Sequence, residues 1–454
     1  MGNGRYWLHT LGCPKNQVDS DKLAGRLAGD GYLPAATPEE ADLVVVNTCA
    51  FIEAARQESV EAVLELADAR RQGARLVVTG CLAERYGDEL AAALPEVDLV
   101  AGFGVPLAVP AGAPVAVRLG PTRSGAGDPA GSSFDLLELP RPAAGAPWAY
   151  IKVAEGCDRI CGFCAIPSFR GRQRSRAAAD VLAEVAGLAE GGSGVKEVVL
   201  VAQDLASYGR DRAAGRAGRA AQPIVALTRA VSAMVPRTRL LYLYPSGLTD
   251  ELVSAVLDTG VPYFDLSLQH VSRPLLARMR RWGDGERFLR RIAEIRRADP
   301  RATFRSSFIL GYPGETEEDH DELLAFLREA QLDWAGFFPF SPEEGTHAAG
   351  LADQVPAELA MERLRECAEL QDTVTAARRD ALVGEVRQVL VDAPGVGRTV
   401  HEAPEIDGVV HLPADLAPGA LVEMVVTASL GTDLLAEPAS ASAALVDAGR
   451  GAGG

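Results

Sequence analysis

Glu155-Gly-Cys157-Asp-Arg-Ile-Cys161-Gly-Phe-Cys164 is the stretch on which the fold and chemistry of this chain turn. Three thiols fall within eight residues, spaced by three residues and then by two, with the aromatic Phe163 before the last. They follow an apolar run at 150–153 that has the length and composition of a strand. One loop at a strand's C-terminal end can therefore present three thiolates to one metal group. Thiolates hold iron-sulfur clusters, and a cubane with three protein ligands leaves one iron open. Zinc is the alternative, but it normally closes with a fourth Cys or His, and none follows before His270.

The organisation unfolds outward from that loop. Strand-like runs at 150–153, 197–202, 239–243, 263–268, 303–309 and 334–338 alternate with helical patterns such as 178–190 and 318–330. About six βα units of this kind curl into a partial or full TIM-type barrel with its functional loops at the strand C-termini. Upstream, apolar runs at 6–11, 43–46 and 76–79 alternate with helical stretches at 20–27 and 54–69, the pattern of a doubly wound parallel sheet. Downstream, short β-type runs at 385–391, 408–412 and 421–427 are broken by Pro and Gly turns and predict a small antiparallel β-barrel. The expected α/β organisation is an N-terminal domain at 1–125, a linker at 126–147, a barrel at 148–379, a β-barrel at 380–436 and a disordered Ala, Gly and Ser tail at 437–454.

A chain of 454 residues suits two or three domains, and 48% hydrophobic with 24% charged residues is a globular composition. No apolar run approaches the roughly 20 residues of a membrane span. Residues 1–5 lead into a strand-like stretch rather than an export signal, so the cytoplasm is expected. Seven cysteines in such a chain point to thiolate chemistry rather than a disulfide framework. The net charge of −17 disfavours nonspecific binding to nucleic acid and favours a basic partner.

Cys13, Cys49 and Cys81 each follow a predicted strand of the first sheet directly. Loops at the carboxyl ends of an open parallel sheet share one edge, so these thiols converge. Three buried core cysteines are the alternative, since free Cys is often buried. Their common place, beside Gly, Thr or Pro rather than inside apolar runs, favours a second cluster with one iron again open to an exogenous sulfur ligand. Cys367, inside a helical pattern, reads as structural.

The Cys157 loop resembles that of the radical S-adenosylmethionine (SAM) superfamily, where the open iron chelates the cofactor's methionine part and an electron splits its S–C bond. With both triplets, residues 6–435 resemble the methylthiotransferases, which join an N-terminal cluster domain, a radical barrel and a TRAM-type β-barrel. Leu11-Gly-Cys-Pro-Lys-Asn-Gln-Val-Asp-Ser20, Val201-Ala-Gln-Asp204 with Tyr208-Gly209, and Ser341-Pro-Glu-Glu-Gly-Thr346 look like the branch that modifies a ribosomal protein. The tRNA branch is expected to show Gly-Cys-Gln-Met-Asn and Gln-Asn-Val-Asn type segments instead.

The resemblance implies β-methylthiolation of an aspartate in small-subunit ribosomal protein twelve. It implies two 4Fe-4S clusters, on Cys157, Cys161 and Cys164 and on Cys13, Cys49 and Cys81. One SAM is the methyl donor and another the radical source. Candidate SAM contacts are Phe163, Gln203, Asp204, Gln269, Arg305, Gly311, Gly314 and Glu315, several of them at predicted strand ends. A basic ribosomal protein, an electron donor and a sulfur donor are the expected partners of a monomer for which direct RNA binding is not favoured. Residues 381–454 carry ten Asp or Glu against three Arg and no Lys, which suits a basic protein substrate, although acidic surface is also ordinary solubilising charge. Ser267 stands where the family usually has Pro, in Asp265-Leu-Ser-Leu-Gln-His270. Arg170, Arg172, Arg174 and Arg176 form a basic stretch suited to carboxylates of cofactor or substrate, or to a solvated turn. Two other readings stand beside this one: a tRNA adenosine methylthiotransferase, and a non-enzymatic metal-binding ribosome or RNA adaptor.

Overall fold

Leu43-Val-Val-Val-Asn-Thr48 is buried at every position, which a strand achieves only when both faces of its sheet are covered. In a computed structural model that describes residues 4–107, 135–190, 194–212 and 222–439, this strand is the centre of the N-terminal sheet. Strands β1 (Arg5–Thr10), β2 (Leu33–Pro34), β3 (Leu43–Thr48), β4 (Arg75–Gly80) and β5 (Leu99–Val100) run parallel in the order β2-β1-β3-β4-β5. Helices α1 (Pro14–Gly29), α2 (Glu53–Ala69) and α3 (Cys81–Ala93) start at the carboxyl ends of β1, β3 and β4. The strand order reverses between β1 and β3, so their loops part and leave a crevice. Helix α1 begins six residues before the stretch read as helical. Pro14 suits its first turn, and the polar Lys15, Asn16, Asp19 and Ser20 that interrupt the apolar period are buried.

The central domain contains β6 (Trp148–Lys152), β7 (Ala154–Glu155), α4 (Ile166–Phe169), β8 (Arg174–Ser175), α5 (Ala178–Glu190), β9 (Glu197–Val201), β10 (Arg237–Leu240), β11 (Tyr263–Gln269), β12 (Thr303–Leu310) and β13 (Trp334–Pro339). Strands β6, β9 and β10 form one parallel sheet and β11, β12 and β13 another. A parallel bridge between Leu243 and Leu266 joins them into an open, partial barrel. The short antiparallel ribbon of β7 and β8 brackets the cysteine loop.

Helix Ala357–Asp380 leads into β14 (Val386–Ala393), β15 (Val396–Arg398), β16 (Val410–His411), β17 (Leu421–Leu430) and β18 (Asp433–Pro438), closed in the order β14-β15-β16-β18-β17. The barrel is not wholly antiparallel as expected, because closure pairs β16 with β18 in parallel. Strand β18 also runs two residues into the stretch read as tail, while 440–454 lie outside the described residues. Of the expected linker, 126–134 lie outside the described residues. Leu136 and Leu139 in the remainder are buried against Leu23, Leu27 and Leu107, so that part packs as core. Among the described residues no helix is long and apolar enough to cross a membrane.

The β15–β16 loop plugs the partial barrel from the strand N-termini. Ala403 packs among Tyr150, Val199, Val201, Leu241, Tyr263 and Trp334. Tyr150 donates to the Pro404 carbonyl at 2.6 Å, Trp334 to the His401 carbonyl at 2.8 Å and Tyr263 to Asp407 at 2.5 Å. Glu402 pairs with Arg379, both side chains nearly inaccessible. Burial raises the Glu402 carboxyl, but Arg379 and His401 outweigh it and hold it at about 2, below its ordinary 4.5. A depressed carboxyl adds stability above its unfolded value and loses it as pH falls through the folded one. Glu402→Gln should therefore cost about 3–5 kcal/mol at neutral pH in the metal-free protein. Its deficit against the wild type should shrink between pH 4.5 and 2, as read by tryptophan fluorescence during thermal unfolding; a deficit constant with pH would show that the charge of Glu402 contributes nothing.

Candidate active site

Six cysteines open on one cavity of about 530 Å³ between the carboxyl edge of the N-terminal sheet and the carboxyl ends of the barrel strands. Cys13 caps α1, Cys49 follows β3 directly and Cys81 opens α3. Gly12 has φ +92°, and a Cβ there would lie 2.9 Å from the Sγ of Cys49, so only glycine lets these loops meet. Asn16 Nδ2 donates to the carbonyls of Leu11 at 2.9 Å and Thr48 at 3.0 Å, lacing the first two loops together. In the second triplet, Cys157 N–H donates to Gly171 O at 3.1 Å and Gly162 N–H to Met279 O at 2.8 Å, which pins the loop at both ends.

Among the described residues no three Cys, His, Asp or Glu side chains are drawn together tightly enough to hold a metal ion. The thiols line the cavity wall, and three thiolates to a set, with no fourth Cys or His beside them among the described residues, suit a cubane with one open iron better than zinc, which normally closes with four ligands. Burial pushes Cys49 and Cys164 up to about 12 and Cys157 to about 11, so the free thiols are neutral and metal binding must displace protons. Cys13 departs from this: burial raises it, but the charges of Lys15 and Arg170 and the backbone amides of Asn16 and Lys15 together bring it below the ordinary thiol value.

Of the expected cofactor contacts, Phe163, Gln203, Asp204, Gln269 and Arg305 line the cavity. Gln203 donates to Glu155 at 2.8 Å, and Asp204 accepts from Arg159 at 2.7 Å. Gln269, with φ 72°, ends β11 beyond a register shift. Gly311, Gly314 and Glu315 do not line it. Packing accounts for those glycines, since a Cβ at Gly311 would meet that of Ala360 at 2.5 Å and one at Gly314 would run into Arg278. Glu315 accepts from the amides of Gly311 at 2.5 Å and Tyr312 at 3.2 Å and pairs with Arg363. At Ser267 the amide donates to Leu243 O at 3.0 Å, a bond that proline could not make.

The arginine stretch binds the protein's own carboxylates. Arg172 pairs with Asp158, Arg174 with Asp135 and Arg176 with Glu184. Arg170 joins a buried quartet that sequence reading missed. Its fork meets both oxygens of Glu155 at 3.0 and 2.9 Å and Asp19 at 3.1 Å, and it donates to Cys81 Sγ at 3.0 Å. Lys152 pairs with Asp19 and, at 2.6 Å, with Glu155. Although burial raises it, Arg170 and Lys152 keep the Glu155 carboxyl well below the carboxylate range. Lys15, Tyr242 and Arg281 also line the cavity unanticipated, and Arg281 donates to Cys161 Sγ at 3.2 Å. One signal was available: charged residues breaking the apolar period of α1.

Family descriptions match each part of the chain: "Uncharacterized protein family UPF0004" over 5–102, the radical SAM superfamily over 151–327 and the TRAM domain over 383–438. The ribosomal protein uS12 methylthiotransferase RimO of Moorella thermoacetica is 43% identical, with 93% of this chain and 96% of that protein covered. RimO of Kineococcus radiotolerans is 41% identical over 95% and 96%, and RimO of Streptomyces coelicolor 42% over 95% and 96%. Such identity over nearly the full length, with the three parts in the same order as the three folded units, means that the chain belongs to the RimO family of radical SAM methylthiotransferases.

Proposed function

We propose that this enzyme adds a methylthio group to the β-carbon of an aspartate in small-subunit ribosomal protein uS12, using one SAM as methyl donor and another as radical source. The observation that carries the reading is the single cavity shared by all six cysteines. A substrate carbon radical made beside one triplet must meet sulfur at the other before anything quenches it, and one shared space meets that demand. The name of the relatives supports uS12 as the substrate. That substrate puts the enzyme in the cytoplasm, served by an electron donor and a sulfur donor.

Members of this family use SAM with two 4Fe-4S clusters. When bound, these groups supply the electron, the 5′-deoxyadenosyl radical and the methylated sulfur, chemistry beyond any side chain. The chain's own residues bind, orient and protect. We assign Cys157, Cys161 and Cys164 to the radical cluster and Cys13, Cys49 and Cys81 to the auxiliary one. Hydrogen bonds from Arg281 to Cys161 and from Arg170 to Cys81 draw negative charge from sulfur and favour the reduced state. Phe163, Gln203, Asp204, Gln269 and Arg305 are assigned to SAM, while Gly311, Gly314 and Glu315 act at one remove by shaping the exit of β12. Phe51, Ile52, Phe338 and Phe340 give the cavity wall an apolar stretch that a bound substrate would cover.

Anaerobically reconstituted protein should bind about eight irons, two cubanes' worth. Replacing Cys13, Cys49 and Cys81 by Ala should leave about four irons and SAM cleavage to 5′-deoxyadenosine, while mass spectrometry finds no methylthio gain on uS12. Zinc in place of iron, or modified tRNA with unmodified uS12, would overturn the proposal. Removing one member of the buried quartet is a separate test. Arg170→Met should lower stability to denaturant by about 3–5 kcal/mol and reduce iron at both triplets. Arg170→Lys should recover only part of either, since an ammonium cannot reproduce the fork.

A further inference from the structure

We propose that Lys15 determines specificity by taking the side-chain carboxylate of the substrate aspartate; this rests on the methylthiolation reading above. Five cationic side chains line the cavity: Lys15, Arg159, Arg170, Arg281 and Arg305. Four of them are engaged. Arg159 is held by Asp204 at 2.7 Å, Arg170 by Asp19 and Glu155, and Arg305 by Asp265 at 3.1 Å and Asp407 at 3.5 Å. Arg281 donates to Cys161 Sγ and to the Ser267 carbonyl. Lys15 is only 8% exposed, yet among the described residues no carboxylate or hydrogen-bond acceptor meets its ammonium.

Its closest contact is an aromatic face, and the two anionic groups that act on it from nearby, Cys13 and Asp265, make no hydrogen bond or ion pair with it. Nζ stands 3.2 Å from the ring centroid of Tyr242. A ring face offsets only part of the cost of taking an ammonium out of water, so the site is complete only when an anion arrives. Asp265, on the same wall, is already committed to Arg305 and to the Tyr242 amide at 2.9 Å. With Asp265 so committed and Cys13 assigned to the auxiliary cluster, the anion comes with a ligand.

Position selects which ligand. Lys15 lies two residues after Cys13 on α1, and Tyr242 lies two residues past β10, so the pair marks the seam between the auxiliary cysteines and the barrel. The substrate carbon has to reach both triplets and so has to pass this seam. In aspartate the reacting β-carbon carries the carboxylate directly. Whatever grips the carboxylate thus fixes the carbon, and an amide or a nucleobase in its place leaves the ammonium unpaired.

The test compares the reconstituted wild type with Lys15→Met and Lys15→Arg, acting on uS12 and on uS12 whose target aspartate is replaced by Asn. Methylthiolation kinetics and equilibrium binding of each substrate protein by fluorescence anisotropy are both read. Lys15→Met should lower kcat/KM on uS12 roughly 30-fold or more, chiefly through KM, and weaken uS12 binding in step. Lys15→Arg should keep most of both. On the Asn substrate, the wild type and Lys15→Met should agree within about threefold, because there is no charge to lose. Iron and sulfide content and KM for SAM should stay at wild-type values. Equal losses on both substrates, a raised KM for SAM or a loss of iron would assign Lys15 to cofactor or cluster and overturn the proposal alone. Inactivity of the wild type on uS12 would overturn it together with the functional reading.

Discussion

Four charges buried in one seam govern the arrangement of this molecule. Asp19 comes from α1 of the N-terminal domain, Lys152 from the first barrel strand, Glu155 from the start of the cysteine loop and Arg170 from its far side. Each alone carries a large desolvation cost, and together they form a neutral set whose oxygens and nitrogens meet. Any slip of one domain against the other strands a charge without water or partner. The docking therefore has one register, and both cysteine sets inherit it. Because Arg170 also reaches Cys81, the set touches the sulfur chemistry as well as the frame.

The barrel has the opposite problem. An open wall of six strands leaves its interior unfilled at the amino ends, and Tyr150, Tyr263 and Trp334 each place a polar atom there. The β15–β16 loop answers each one: carbonyls of Pro404 and His401 and the carboxylate of Asp407 accept from the two phenols and the indole. Two of the ten acidic residues counted in the C-terminal stretch, Glu402 and Asp407, are thereby spent inside, paired with Arg379 and Arg305. The acidity of that domain is partly architectural, which thins the surface charge left for a basic partner.

Features carried by local spacing are legible in the sequence. The Cys157 loop is local by nature, and the convergence of Cys13, Cys49 and Cys81 follows from the shared edge of a parallel sheet. Where packing between distant segments decides, the pattern misleads. The start of α1 escapes the pattern because its polar residues are buried, Ser20 and Asn16 against β1 and β3 and Asp19 and Lys15 against the barrel domain, rather than turned to water. Strands β15 and β18 have neighbours chosen by barrel closure, and the parallel β16–β18 pair has no local signature. Glycines at 311 and 314 suggested a ligand's approach, yet Ala360 and Arg278 demand the same absence of a side chain. Lys15 gains meaning only from Tyr242, which the sequence sets far away.

The plug loop has a further consequence, for the order in which the chain is made. Domains fold largely as units while synthesis proceeds from the amino end. The N-terminal sheet, the cysteine loops and all six barrel strands leave the ribosome before residues 399–407. During that interval the barrel is unsealed at one end, with its phenols and indole facing water. The cysteine loops, at the opposite ends of the strands, stay open to iron and sulfide throughout, so translation sets the moment at which the barrel's foot is sealed and leaves cluster loading free of it.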